Sequence, residues 1–80
     1  MDGKQIWQTT LGEMEVTMSK ANFTTWLKNT SFLDFDDDVL TIGVANIFTK
    51  EWLENKYHQN IIQTGRKVCP SLKNIIYKVS

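Results

Sequence analysis

The chain has 80 residues, of which 41% are hydrophobic, 11% aromatic and 22% charged. This length leaves room for one hydrophobic core only, and the near-average composition argues against disorder, collagen-like repeats and coiled coils. Nine Lys and Arg balance nine Asp and Glu, so no net charge attracts the protein toward nucleic acid.

The first two predicted elements are helices. Residues 4–18 place apolar side chains at helical spacing along one stripe, which consists of Trp7, Leu11, Met14 and Met18. Ser19 is suited to cap a short second helix that carries Phe23, Trp26 and Leu27 and ends near Lys28.

The period then changes to that of strands. Leu33 and Phe35 alternate with a polar residue, and Leu40, Ile42 and Val44 do the same, so we expect two strands with one apolar face. The polar residues 36–38 between them have hairpin length, which predicts an antiparallel pair.

A third helix and a third strand follow. Asn46 is the predicted N-cap, Trp52, Leu53, Tyr57 and Ile61 form the apolar side, and Gly65 is the expected C-terminal stop. After Pro70, Ile75, Tyr77 and Val79 alternate as a strand. The order α-α-β-β-α-β predicts a two-layer α+β domain with helices covering a three-stranded sheet.

Catalysis has little support in this sequence. His58 is the one histidine and is expected on the exposed side of helix three, and Cys69 is expected to be a partly buried filler. The acidic residues 34, 36 and 38 have calcium-loop spacing, but the required Gly and bidentate Glu are replaced by Val39 and Ala45. We therefore expect no enzyme activity, no metal and no cofactor.

The single cysteine is typical of a reducing compartment. The N-terminus is polar, and no apolar run approaches the roughly 18 residues that a membrane span requires. The sequence therefore predicts a cytoplasmic protein.

Large apolar residues at helix ends are the feature most suggestive of function. Ile6 and Trp7 lie in the first turn of helix one, and Phe48 lies in the first turn of helix three. For Trp7, which heads the apolar stripe, core burial and interface exposure are equal alternatives. Phe48 lies on the shoulder of its stripe and is the better interface candidate.

Four segments, taken in order, resemble the N-terminal domain of the bacterial chromosomal replication initiator DnaA. They are Ile6-Trp7, residues 19–28 (SKANFTTWLK), residues 39–42 (VLTI) and residues 45–57 (ANIFTKEWLENKY). The resemblance covers residues 5–79 and implies a KH-like α+β fold that acts through protein interaction. It also implies self-association through Ile6 and Trp7, and binding of the replicative helicase and initiation regulators through Thr25, Trp26, Asn46 and Phe48.

This sequence departs from the family pattern at two positions near that surface. Asn22 stands where some relatives carry a Glu that supports helicase contact, and Ala45 replaces the usual Pro before the helix-three cap. The ATPase and duplex-DNA-binding domains of the family have no counterpart in residues 1–80, so we expect an excised single domain. The alternative is a weak single-stranded nucleic-acid binder that uses Lys50, Lys56, Arg66 and Lys67.

Overall fold

A computed structural model describes residues 2–80, and its elements follow the predicted order. In chain order they are α1 (Gly3–Thr17), α2 (Lys20–Trp26), β1 (Ser31–Asp36), β2 (Val39–Val44), α3 (Ile47–Trp52), a π-helical segment (Leu53–Tyr57), α4 (His58–Val68) and β3 (Asn74–Val79). The α+β class is thereby confirmed. No helix within residues 2–80 is long and apolar enough to cross a membrane.

Side chains cap the starts of three helices. Asp2 and Gln5 form a reciprocal capping box at α1. The two predicted caps are confirmed: the Ser19 hydroxyl accepts from the Asn22 amide at 3.2 Å, and the Asn46 amide oxygen accepts from the Thr49 N–H at 2.9 Å. These bonds satisfy backbone donors that a helix leaves free at its N-terminus.

The sheet has the order β1-β2-β3, in which β1 and β2 are antiparallel and β2 and β3 are parallel. The predicted hairpin is confirmed, with Asp37 and Asp38 as its two-residue turn. Both have positive φ values, 51° and 62°, as the type I′ turn of a twisted hairpin requires. The parallel pair is joined by the helical run 47–68, since parallel strands need a long crossover connection.

One expected side-chain orientation in β1 is wrong. A bulge between Phe32 and Asp34 shifts the alternation, so Phe32 and Phe35 pack against the core while Leu33 is 40% exposed on the open side. Val79, expected to point inward with its strand partners, is also exposed, at the last position of β3.

The core lies between the helices and one face of the sheet. Its buried hydrophobic members are Ile6, Trp7, Met14, Phe23, Leu27, Leu40, Ile42, Val44, Leu53, Ile61, Ile62, Leu72, Ile75 and Tyr77. The predicted stripe of α1 is confirmed, because Trp7 and Met14 are buried and Leu11 and Met18 pack against them.

Of the two alternatives for Trp7, the structure shows core burial, and Ile6 is buried with it. Their exposed fractions are 2% and 1%. The first turn does not fray outward, since α1 lies so close to β1 that a Cβ at Gly3 would stand 2.7 Å from the Phe32 ring. The Trp7 indole N–H donates to the Thr30 hydroxyl at 3.2 Å, so its polar atom needs no solvent.

The third helix differs from the prediction in two ways. Gly65 does not end it, because α4 continues to Val68 and Gly65 is buried inside it. A Cβ at Gly65 would lie 2.8 Å from Leu72 Cδ2, so the missing side chain permits close packing of the helix. In addition, a π turn at Leu53–Tyr57 takes up an extra residue and offsets the side chains on either side of it.

His58 is half-buried rather than exposed as expected. Its Nδ1 lies 3.0 Å from the Tyr77 hydroxyl, and the two rings meet edge to face. Burial of the phenol is the larger cause that raises the pKa of Tyr77 far above its ordinary value, and the nearby Glu54 charge raises it further.

This raised pKa predicts a loss of stability in strong alkali. Above the ordinary tyrosine pKa of about 10, the unfolded chain releases the phenol proton while the folded chain keeps it. The protonated phenol therefore contributes its full share of the folding stability below pH 10. Above pH 10 the free energy of unfolding falls by up to about 1.4 kcal/mol per pH unit. Urea unfolding between pH 8 and 11.5 should show this slope, and Tyr77→Phe should show a shallower one. Equal slopes would contradict the assignment to Tyr77.

Candidate protein-docking site

Three aromatic side chains form an accessible cluster where α2 meets α3, here called the aromatic patch: Trp26, Phe48 and Trp52. The Trp26 and Trp52 rings stack with centroids 4.8 Å apart and planes 16° from parallel. Phe48 is 75% exposed and Trp52 38% exposed, while Trp26 is half-buried. The stack fixes two of the rings in place before any partner arrives, which lowers the entropy lost on binding.

Two grooves flank Trp26 and bring most of the predicted partner-binding residues together. One, of about 300 Å³, is lined by Trp26, Phe48 and Trp52 with Glu51, Asn55 and Lys56. The other, of about 220 Å³, includes Thr25, Trp26 and Asn46. Because Trp26 belongs to both, the grooves form one surface with an apolar centre and polar margins, as protein interfaces have.

The local sequence explains why these aromatic rings remain accessible. α2 has seven residues and buries only Phe23, so Trp26 at its last position lies at the edge of the core. α3 begins at the Asn46 cap and buries no residue of its six, which leaves Phe48 in the solvent. The helix enters the core only at Leu53, in the π segment.

The charges around the patch are few and mixed. The Lys56 ammonium lies 5.7 Å from the centre of the Trp52 ring, a cation–π contact. Glu51 lies in the same groove, so neither sign dominates. The patch therefore favours partners that bury apolar surface over partners attracted by charge alone.

Asn22 and Asn46 contribute in different ways. Asn22 is exposed on α2 and lines neither groove, and only its backbone N–H is engaged, by Ser19. The Asn46 side-chain oxygen is already used by the helix cap, which leaves its NH₂ group for a partner. Thr25 is exposed on the groove that contains Asn46.

The residue that sequence reasoning missed is Trp52. Its helical spacing with Leu53 and Tyr57 placed it among core residues, but the structure turns it toward Trp26. The π segment begins directly after Trp52, so the residues that follow leave the phase of α3. A stretch rich in large residues carries no local signal for such a change of phase.

A third groove lies beside the start of α1. Its volume is about 620 Å³, and it is lined by Lys4, Trp7, Gln8 and Leu11 of α1 with Lys28, Thr30, Ser31 and Phe32. Trp7 contributes only a minimal surface to it, since the side chain is 1% exposed. Contacts in this groove are therefore available to the residues around Trp7, which include the half-buried Leu11 and Phe32 as well as polar side chains.

The residues considered for chemistry have local contacts in the structure. Within residues 2–80, no group of three or more His, Cys, Asp or Glu side chains is placed to hold a metal ion. His58 is engaged with Tyr77, and the half-buried Cys69 thiol lies 3.5 Å from the Ser71 hydroxyl. Asp37 pairs with Lys73 at 3.4 Å on the surface.

Comparison with protein families gives a match over most of the chain. The sequence profile of the family described as the DnaA N-terminal domain matches residues 4–65, which run from α1 through most of α4. The matched range contains every residue of the aromatic patch and of the α1 groove.

Proposed function

The chain belongs to the DnaA N-terminal domain family, and on that basis we propose that its aromatic patch docks the protein partners of replication initiation. The family match supports a role in replication initiation. The proposed partners are the replicative helicase and initiation regulators, which the chain would meet in the cytoplasm. We propose no enzymatic activity for the chain itself.

The observation that carries this proposal is the exposure of Phe48 beside the Trp26–Trp52 stack. A phenyl ring in water contributes nothing to the stability of this fold, whereas covering it would remove a large apolar area from water. Aromatic residues clustered near the centre of a surface are the usual hot spots of protein interfaces. The matching test is capture of purified replicative helicase by the wild-type chain and by Phe48→Ala.

Asn22, on α2 outside the two grooves, offers a second test of helicase binding. Asn22→Glu introduces the residue that supports helicase contact in some relatives, at an exposed site whose side chain makes no bond here. We expect helicase affinity to rise about threefold to tenfold, the size of a charge-assisted hydrogen bond at a partly exposed interface. Surface plasmon resonance would measure it, with Asn22→Gln as the uncharged control. Equal affinities for the two variants would place Asn22 outside the contact.

We assign self-association to the groove beside α1 rather than to the Ile6 and Trp7 side chains. Its rim carries the exposed Lys4 and Gln8, which can be changed without disturbing the core. Lys4→Glu with Gln8→Glu should weaken self-association at least fivefold in sedimentation equilibrium, while the thermal unfolding midpoint stays unchanged. Undiminished association in the folded double variant would exclude this groove.

Single-stranded nucleic acid is the alternative occupant of the aromatic patch, favoured by Lys56 above the Trp52 ring. Of the four cations considered for it, Arg66 is already used: its guanidinium donates to the Leu72 and Lys73 carbonyls at 2.9 and 3.0 Å. Oligo-dT binding that falls steeply with salt would support this alternative. No binding at low salt would dismiss it.

A further inference from the structure

Within residues 2–80, β3 pairs with β2 only, so no strand lies beside its outer edge. The Ser80 amide donates to the Val44 carbonyl, so the alternation of a parallel ladder turns the N–H and C=O groups of Ile75, Tyr77 and Val79 outward. No backbone hydrogen bond within residues 2–80 engages these groups. An unpaired row of donors and acceptors is a template for another strand.

The other edge of the sheet is more strongly protected than this one, where Lys78 is the single charged residue of the strand. β1 carries the bulge after Phe32 and the acidic Asp34 and Asp36, and both features hinder strand pairing. β3 has a regular register over its whole length. Its exposed side chains include Ile76 at 48% and Val79 at 44%.

A groove of about 330 Å³ lies against the β3 edge. Glu54 and His58 from the helical run line one side, and residues 74–77 line the other. A chain added along β3 would therefore have the helix beside one of its faces and open solvent beside the other. This arrangement of strand edge and helix is a recurring way to hold an extended peptide.

The charge in the groove defines the side chain that fits it. Glu54 is exposed and makes no salt bridge within residues 2–80. His58 is engaged with the Tyr77 hydroxyl, which lies 3.0 Å from its Nδ1. A Lys or Arg side chain on the added strand would reach the Glu54 carboxylate, whereas an acidic one would be repelled.

We propose that the β3 edge binds an extended segment of another protein by strand addition, with basic residues facing Glu54 and apolar residues on the side of Ile76. This site is separate from the aromatic patch and does not depend on the role proposed for it. Backbone hydrogen bonds supply the attachment, and the alternation of basic and apolar side chains supplies the selectivity.

The test uses the peptide acetyl-Val-Arg-Val-Arg-Val-amide, added to the ¹⁵N-labelled chain and followed by NMR. We expect the amide signals of Ile75, Tyr77 and Val79 to shift the most. Glu54→Gln should raise the dissociation constant at least threefold, and the exposed Glu51→Gln on the same helical run should leave it unchanged. Phe48→Ala should also leave it unchanged, which keeps this result distinct from that for the aromatic patch.

Two further peptides separate strand addition from simple charge attraction. A copy methylated on every backbone nitrogen cannot donate backbone hydrogen bonds and should lose binding at least tenfold, and acetyl-Val-Glu-Val-Glu-Val-amide should not bind. Shifts centred on residues 36–38, equal binding of the methylated copy, or no shifts at millimolar peptide would each overturn the proposal. Shifts in β3 that follow protein concentration without peptide would assign the edge to a second copy and would overturn it too.

Discussion

Trp7→Ala is expected to lower the free energy of unfolding by about 3–5 kcal/mol, the range for removing a large buried aromatic side chain. The indole is 1% exposed, and it links α1 to the loop before β1 through the bond to Thr30. A domain of this length has a total stability of roughly 4–12 kcal/mol, so the variant should be close to unfolding at 25 °C. Urea denaturation followed by circular dichroism would measure the change.

The control for this variant lies one residue further along the same helix. Gln8 is exposed, so Gln8→Ala should change the unfolding free energy by less than about 0.5 kcal/mol. Trp7→Phe should fall between the two, because it keeps a ring in the core but removes the donor to Thr30. A loss below 1 kcal/mol in Trp7→Ala would mean that the indole is on the surface in solution.

This result bears directly on how self-association is tested. If Trp7→Ala unfolds the domain, its failure to associate reports on folding and not on an interface. Changes on the rim of the α1 groove, at Lys4 and Gln8, avoid that ambiguity because both residues are exposed.

Phe48→Ala should weaken helicase binding and leave the stability of the fold nearly unchanged. The ring is 75% exposed, so we expect its loss to change stability by less than about 0.5 kcal/mol. Helicase binding should weaken by about 2 kcal/mol, close to 30-fold, as for an aromatic hot spot that becomes buried on binding. Titration calorimetry with purified helicase would give the affinity, and urea unfolding of the same sample would give the stability.

A matched control is available on another face. Val16 is also an exposed apolar residue, 82% accessible on α1, so Val16→Ala removes apolar surface outside both grooves of the patch. It should leave helicase binding unchanged. A loss below 0.5 kcal/mol in Phe48→Ala would argue against a docking role for Phe48, and equal losses in the two variants would indicate nonspecific hydrophobic binding.

Local patterns were sufficient for most of the secondary structure. The stripe of α1, the caps Ser19 and Asn46, and the hairpin around residues 36–38 all depend on neighbours within one or two turns of chain, so spacing along the sequence predicts them. The same patterns predicted the wrong side-chain orientation where one extra residue interrupts the regular period of a strand or a helix. The bulge after Phe32 exposed Leu33, and the π segment turned Trp52 out of its expected stripe.

The sequence by itself therefore determined the order of the elements, two of the helix starts and the resemblance to a family of interaction domains. Only the tertiary structure decided whether Trp7 or Phe48 is covered. It also decided that strands β2 and β3 are parallel neighbours. Trp7 and Phe48 both lie near the start of a helix, but β1 and Thr30 close over Trp7 while nothing within residues 2–80 closes over Phe48. Periodicity reports which side chains share a face, whereas burial depends on residues distant in sequence that pack against that face.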